Sequence, residues 1–254
     1  MSNNSKYLNH LQESLINNAS KLSDAQLASI EAYMGSRLKF LGVSTQTQQL
    51  LAKNIYGLKI EKKELINLIH QAFTKSKVYE IKTAGLLLAE YHFKKAEQKH
   101  LYKKMISWVK HVDNWGHSDG LSKLYTRFLE MKEFEKPFLA TLKKWNIDKN
   151  PWLRRQSMVA LLYYARTKNQ HPPFKTIISL VSTQLGVQEH YVQKGLGWTL
   201  RESYNVYPVL TYKFVFNNFF KISPVAFTAA IEKMSDKEKN ILKQKRKAYR
   251  AKNK

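Results

Sequence analysis

The sequence predicts an all-α chain, a single-domain α-solenoid of stacked antiparallel helix pairs, and three observations carry that prediction. Helix breakers are scarce, with 9 glycines and 6 prolines in 254 residues. Apolar residues recur at three- and four-residue spacing, as in the runs that begin at Leu27 and at Glu64, the period of a helix with one buried face. Helical stretches also succeed one another with short polar links and a pair-to-pair period of about 32–37 residues.

Taken in chain order, the N-terminal helices are punctuated by Ser23 and Ser44, whose hydroxyls suit N-caps. Four pairs follow: 61–73 with 76–93, 95–111 with 114–130, 135–145 with 151–166, and 173–185 with 188–204. Ser76, Asn150 and Ser235 are the further predicted N-caps, and Pro151 after Asn150 fits a first helical position, where its missing N–H costs nothing. The aromatic run from Tyr212 to Phe220 looks strand-like in isolation, but among so many helices it reads as a buried aromatic helix. Trp108, Trp145 and Trp152 read as core residues, the ordinary fate of a helical tryptophan. Gly195 and Gly197 lie inside a helical pattern and follow no strand, which excludes a nucleotide loop and predicts close helix packing.

Residues 237–254 hold nine basic side chains and one acidic one. The predicted organisation is therefore a repeat domain over 1–234 and a basic C-terminal helix or tail over 235–254, too charged to build core and suited to bind phosphate as an arm.

Charge narrows the partners. Lys and Arg number 43 against 19 Asp and Glu, a net +24 with +8 of it in residues 237–254, so the body of the fold is itself basic. A polyanion is the leading partner, because each neutralised phosphate releases counterions. The absence of cysteine excludes disulfides, thiolate catalysis and Cys-ligated metal. The histidines 111, 117, 171 and 190 show no metal-ligand spacing with carboxylates, so neither metal nor cofactor is expected. With no signal peptide and no apolar stretch near the roughly 20 residues that span a bilayer, a monomeric protein of the cytoplasm is expected.

Three separated segments then carry the chemistry: 114–119 (Asn-Trp-Gly-His-Ser-Asp), 152–155 (Trp-Leu-Arg-Arg) and 197–202 (Gly-Trp-Thr-Leu-Arg-Glu). Each falls on the second helix of a predicted pair, and second helices of a solenoid line one common wall. Trp115 and Asp119 are four residues apart and so share a helix face. Two indoles with one carboxylate suit a cation, and arginine on a basic surface suits phosphate. Alkylated DNA, a cationic base on a polyanion, satisfies both demands.

At these residues the chain resembles the AlkD-like DNA alkylation repair family, the HEAT-like-repeat DNA glycosylases, from about Tyr7 to Lys233. Ala32–Met34 and Phe40–Val43 are similar to its second-helix segment, with Tyr33 at an active-site aromatic. Trp115 and Asp119 match its Trp-x-x-x-Asp pair, Arg155 matches the arginine of its Trp-x-x-Arg segment, and Val192–Glu202 is close to its most recognisable stretch, with Trp198 at the second tryptophan. The resemblance implies Asp119, Trp115 and Trp198 as catalytic residues, and Arg155, Arg201, Tyr33, Arg154 and Lys194 as DNA contacts. It implies excision of N3- and N7-alkylpurines from double-stranded DNA without flipping the base out of the stack.

One departure stands out: Gly116-His117-Ser118 lies between Trp115 and Asp119, where members with established excision often have an acidic residue directly after the tryptophan. Two alternatives follow. The first is a non-catalytic binder of DNA structure, branched DNA included, from the same family. The second is a helical-repeat protein-binding scaffold, which the net charge and the paired indoles disfavour.

Overall fold

The computed structural model describes residues 3–95, 99–167 and 170–253, and among these the secondary structure is helical, with one isolated parallel bridge between Lys39 and Val78. The chain divides into two compact units, residues 1–124 and 125–254.

The first unit holds α1 (Asn3–Asn17), α2 (Asp24–Met34), α3 (Thr45–Gly57), α4 (Lys62–Lys75), α5 (Tyr79–Lys95), α6 (Lys99–Met105) and most of α7 (Trp115–Tyr125). Helices α4 and α5 pack on each other, α3 packs on α5, and α1 covers α3 and α4. Their shared core includes Leu68, Ile69, Phe73, Ala84 and Leu88. Trp108 is fully buried, its indole N–H donates to His70 Nδ1 at 2.9 Å, and its ring stacks on Phe73.

Ser23 caps α2 with a complete capping box, its hydroxyl accepting from the Gln26 N–H while the Gln26 side chain accepts from the Ser23 N–H at 2.9 Å. Gly35, at φ 63, ends the same helix in the left-handed conformation that glycine adopts without strain. Ser44 and Asn150 also cap as predicted, and Ser235 closes a second capping box with Glu238. Ser76 does not. Lys77 and Val78 run extended beside Lys39, with Lys39 N–H donating to Lys77 O and Tyr79 N–H to Lys39 O, both at 2.9 Å, so α5 starts only at Tyr79. The Ser76 hydroxyl instead accepts from Val78 N–H within the turn.

The second unit holds α8 (Lys132–Asn146), α9 (Pro151–Val159), α10 (Phe174–Ser182), α11 (His190–Val206), α12 (Pro208–Asn218), α13 (Pro224–Ala230) and α14 (Asp236–Lys252). Helix α11 is its centre, packed against α9, α10, α12 and α13. A Cβ added at Gly197 would lie 2.4 Å from the Ala226 carbonyl oxygen, and one at Gly195 would lie 2.9 Å from Arg155 Cγ. The two glycines thus let α13 and α9 approach α11. Trp145 is buried with Tyr125, Phe128 and Phe138, whereas Trp152 is half-buried and stacks on Tyr191 at 4.9 Å.

Two expectations change here. The aromatic run near Tyr212 is helical but only half-buried, since Thr211 and Val215 point inward while Leu210 and Phe220 are exposed. The basic C-terminal segment is a docked helix and not an arm. Leu242 is fully buried, Arg246 donates to the carbonyls of Phe219 and Ile222 at 2.9 and 2.8 Å, and the Tyr204 hydroxyl donates to Glu238. Charged α14 can join the core because Lys245 and Arg246 lay their cations on the rings of Phe216 and Phe227. Truncation after Ser235 is therefore expected to cost about 3 kcal/mol or more, from Leu242 burial and the Arg246 bonds, and to lower the melting temperature by roughly 6–12 °C. An unchanged thermal melt of the truncated protein would contradict this docking.

Candidate functional site

In the first unit, Trp115 opens α7 and Asp119 follows one turn later, both partly exposed. The Trp115 indole N–H donates to the backbone carbonyl of Tyr33 at 3.0 Å, and the two rings meet edge-to-face with centroids 5.3 Å apart. Tyr33 is 71% exposed, so the pair forms an aromatic wall open to solvent beside the Asp119 face of α7.

This wall is held from behind by the connector between α2 and α3. Asp113, two residues before Trp115, accepts from the Ser36 hydroxyl at 3.0 Å, the Arg37 N–H at 3.1 Å and the Asn114 side-chain amide at 2.9 Å. The buried Glu80 carboxylate accepts from the N–H groups of Leu41 and Gly42. Sequence reading missed both carboxylates, because nothing in a helical pattern marks an acid that accepts from a distant loop.

His117 explains how the unusual Gly116-His117-Ser118 segment is accommodated. Its side chain is 1% exposed and stacked on Tyr79 at 4.4 Å. Nδ1 lies 2.9 Å from the Asn114 amide and Nε2 lies 3.2 Å from the Tyr79 carbonyl, an arrangement that suits a neutral ring accepting at Nδ1 and donating at Nε2. Burial first, and the nearby Lys82 cation second, push its pKa down to about 3. Gly116 is required by the same packing, since a Cβ there would lie 2.7 Å from the Tyr79 hydroxyl. Lys82 is itself buried, lowered to about 8 by desolvation against the opposing pull of Asp113, and donates to the His111 carbonyl at 2.8 Å.

A depressed histidine pKa means that the unfolded chain binds the extra proton first as pH falls below about 6.5. Stability is then lost from about 6.5 down toward the folded value of about 3. We expect His117 to contribute a loss of about 2 kcal/mol between pH 7 and pH 5, and His117→Gln to remove that part. Denaturant titrations at the two pH values check this, and parallel pH dependence in both proteins would show that His117 is not the titrating group.

In the second unit, Trp198 lies in the middle of α11, partly exposed, stacked on Tyr163 at 5.5 Å with the Arg201 guanidinium 5.5 Å from its ring. Tyr164, next to this stack, is 57% exposed and has φ 50, a backbone conformation uncommon for a side chain of that size. Neither tyrosine carries a sequence signal, because each sits in an ordinary apolar run. Arg155 is 5% exposed and its Nη1 donates to the Tyr191 carbonyl at 3.0 Å, so it joins α9 to α11. Arg154 pairs with Glu189. Arg201 pairs with Glu232 at 3.0 Å, and Lys194 is exposed on α11. The structure thus brings Tyr33 to Trp115 in one unit and Arg201 to Trp198 in the other. Among the described residues no three His, Asp or Glu side chains cluster as metal ligands do, and no helix is long and apolar enough to cross a membrane.

Comparison with known proteins places this geometry in context. A family model described as DNA alkylation repair enzyme matches residues 11–234. A solved structure described as a predicted DNA alkylation repair enzyme from Enterococcus faecalis is similar at 18% identity and a TM-score of 0.67, covering 86% of this chain and 99% of that one. AlkD2 from Streptococcus mutans is similar at 21% identity and a TM-score of 0.54, covering 84% and 100%. Smu.31 from Streptococcus mutans UA159 is similar at 21% identity and a TM-score of 0.53, covering 75% and 92%. At these identities the likeness is one of fold. No curated protein matches the chain.

Proposed function

The chain belongs to the DNA alkylation repair enzyme family, and on that premise we propose that it is a monofunctional DNA glycosylase that excises positively charged N3- and N7-alkylpurines from duplex DNA without flipping the base. The observation that carries this reading is the Tyr33–Trp115 aromatic wall, fixed by the 3.0 Å indole bond, on the helix that also bears Asp119.

Alkylation at guanine N7 or adenine N3 makes the base a cation and a good leaving group. As the glycosidic bond breaks, its electron pair neutralises the departing base and the sugar becomes oxocarbenium-like. Asp119 stabilises that developing charge and orients a water whose oxygen bonds to C1′, the water's proton passing to the carboxylate and on to solvent. The Trp115 and Trp198 faces favour cationic base and sugar by about 0.5–2 kcal/mol each. Water as nucleophile makes the enzyme monofunctional. A lyase would need an amine, and Lys82, whose pKa is lowered to about 8, is buried and bonded to the His111 carbonyl.

Docking rests on the basic residues. Exposed Lys194 and Tyr33 make first contact, Arg154 and Arg201 exchange Glu189 and Glu232 for phosphate, and Arg155 supports that surface from beneath α11. The test is release of free base from methylated duplex DNA. Duplex binding with no release from any alkylated purine would favour the non-catalytic DNA-structure binder, the reading that Gly116 in place of an acidic residue after Trp115 supports.

A further inference from the structure

Helices α13 and α14 enclose a groove of about 880 Å³ that contains none of the residues proposed for base release. Its floor is apolar, with Phe227 and Ile231 from the α13 side. Its rim is cationic. Lys239, Lys243, Lys247 and Arg250 line it from α14, at spacings of four, four and three residues that place them in one stripe.

That stripe is about 16 Å long at the helical rise of ~1.5 Å per residue. Like charges one turn apart repel, so a stripe of four asks for an anion. Of these four, among the described residues, only Lys239 has a carboxylate within reach, Asp236 at 3.6 Å, and Glu232 across the groove is held by Lys233 at 3.0 Å. Arg246 is not available as a ligand. It anchors α14 through the Phe219 and Ile222 carbonyls and so holds the cations in place.

Beyond Arg246 and Arg250 lies a second hollow of about 350 Å³, lined also by Phe220 and Tyr249. These two rings are 47% and 41% exposed, with centroids 5.7 Å apart and a tilt of 36°. A cationic stripe leading to exposed rings is what a single nucleic-acid strand requires: phosphates pair along the stripe, and an unpaired base stacks at its end. A duplex would use the charges and leave the rings idle, because its base faces are already covered.

We infer that the α13–α14 groove binds a single strand of nucleic acid, its phosphodiester backbone along Lys243, Lys247 and Arg250 and one base on Phe220 and Tyr249. The inference rests on the reading of the chain as a nucleic-acid-binding protein. It adds a second contact for a strand that is unpaired beside the duplex being repaired.

The experiment measures affinity by fluorescence anisotropy for a labelled single strand of about twelve nucleotides, within the span such a site covers, and for the corresponding duplex, in the full-length protein across a salt series. Replacing Lys243, Lys247 and Arg250 together by Gln is expected to reduce the single-strand salt slope by about 2, from three lost phosphate contacts at ~0.7 each. A control that replaces three exposed α8 lysines, Lys132, Lys136 and Lys143, by Gln removes the same charge and is expected to change the slope far less. Phe220→Ala should weaken the single strand roughly tenfold and leave the duplex unchanged. Equal slopes in the groove triple variant and the α8 control would overturn the groove, and Phe220→Ala acting on neither substrate or on both alike would overturn the base platform. Base release from methylated duplex by the unaltered protein, measured alongside, separates the two readings. Its absence would end the glycosylase proposal while leaving the strand measurement to decide the groove.

Discussion

Asp119→Asn is expected to abolish release of 7-methylguanine from methylated duplex DNA while leaving duplex affinity nearly unchanged. The substitution keeps the shape of the side chain and removes the charge. If that charge acts on the oxocarbenium-like sugar, its loss falls on the transition state and not on docking, which depends on cations facing phosphate. Groups that stabilise developing charge in this way are worth about 10²–10³ in rate. The measurement is single-turnover base release with saturating protein, beside anisotropy binding and a thermal melt that confirms the variant is folded. Release by the variant at the rate of the unaltered protein would remove Asp119 from the mechanism.

What the sequence could disclose about this site follows from the range of the interactions involved. Trp115 and Asp119 were legible because a four-residue spacing on a helix places two side chains on one face whatever the rest of the fold does. The caps at Ser23, Asn150 and Ser235 were legible for the same reason, since each bond closes within three residues. Gly195 and Gly197 could be read as packing glycines, but not what they approach, Arg155 and the Ala226 backbone. The long-range pieces carry no local mark. Asp113 reaches back to Ser36 and Arg37, Glu80 to Leu41 and Gly42, and Lys39 pairs with the segment that Ser76 was expected to cap. Composition misled at the C-terminus for a related reason. A run such as Lys243–Arg250 looks too charged to pack, yet Arg246 is satisfied by backbone carbonyls and Lys245 by an aromatic ring, neither of which a charge count registers. His117, read from sequence as part of the departure between Trp115 and Asp119, is buried and bonded through both ring nitrogens, so this segment belongs to the scaffold under the first turns of α7.

Lesion charge supplies the second large effect. Excision is expected to favour cationic 3-methyladenine and 7-methylguanine over neutral uracil and hypoxanthine, whose stronger glycosidic bonds gain little from aromatic faces and one carboxylate. At about 0.5–2 kcal/mol for each indole, the pair accounts for a preference of roughly fivefold to several hundredfold beyond the intrinsic difference between the leaving groups. Replacing Trp115 and Trp198 together by Ala should erase that added preference. Both side chains are partly exposed, so the double variant leaves the fully buried core of each unit in place, although Tyr33 loses its edge-to-face partner and Tyr163 its stacking partner. Single-turnover release from each lesion, divided by the spontaneous rate for the same base, isolates the contribution of the protein. Comparable acceleration of neutral and charged lesions by the unaltered protein would sink cation recognition, because the rings would then be serving as shape alone. A preference that survives loss of both indoles would transfer the discrimination to Asp119, the charged group on the same face of α7 as Trp115.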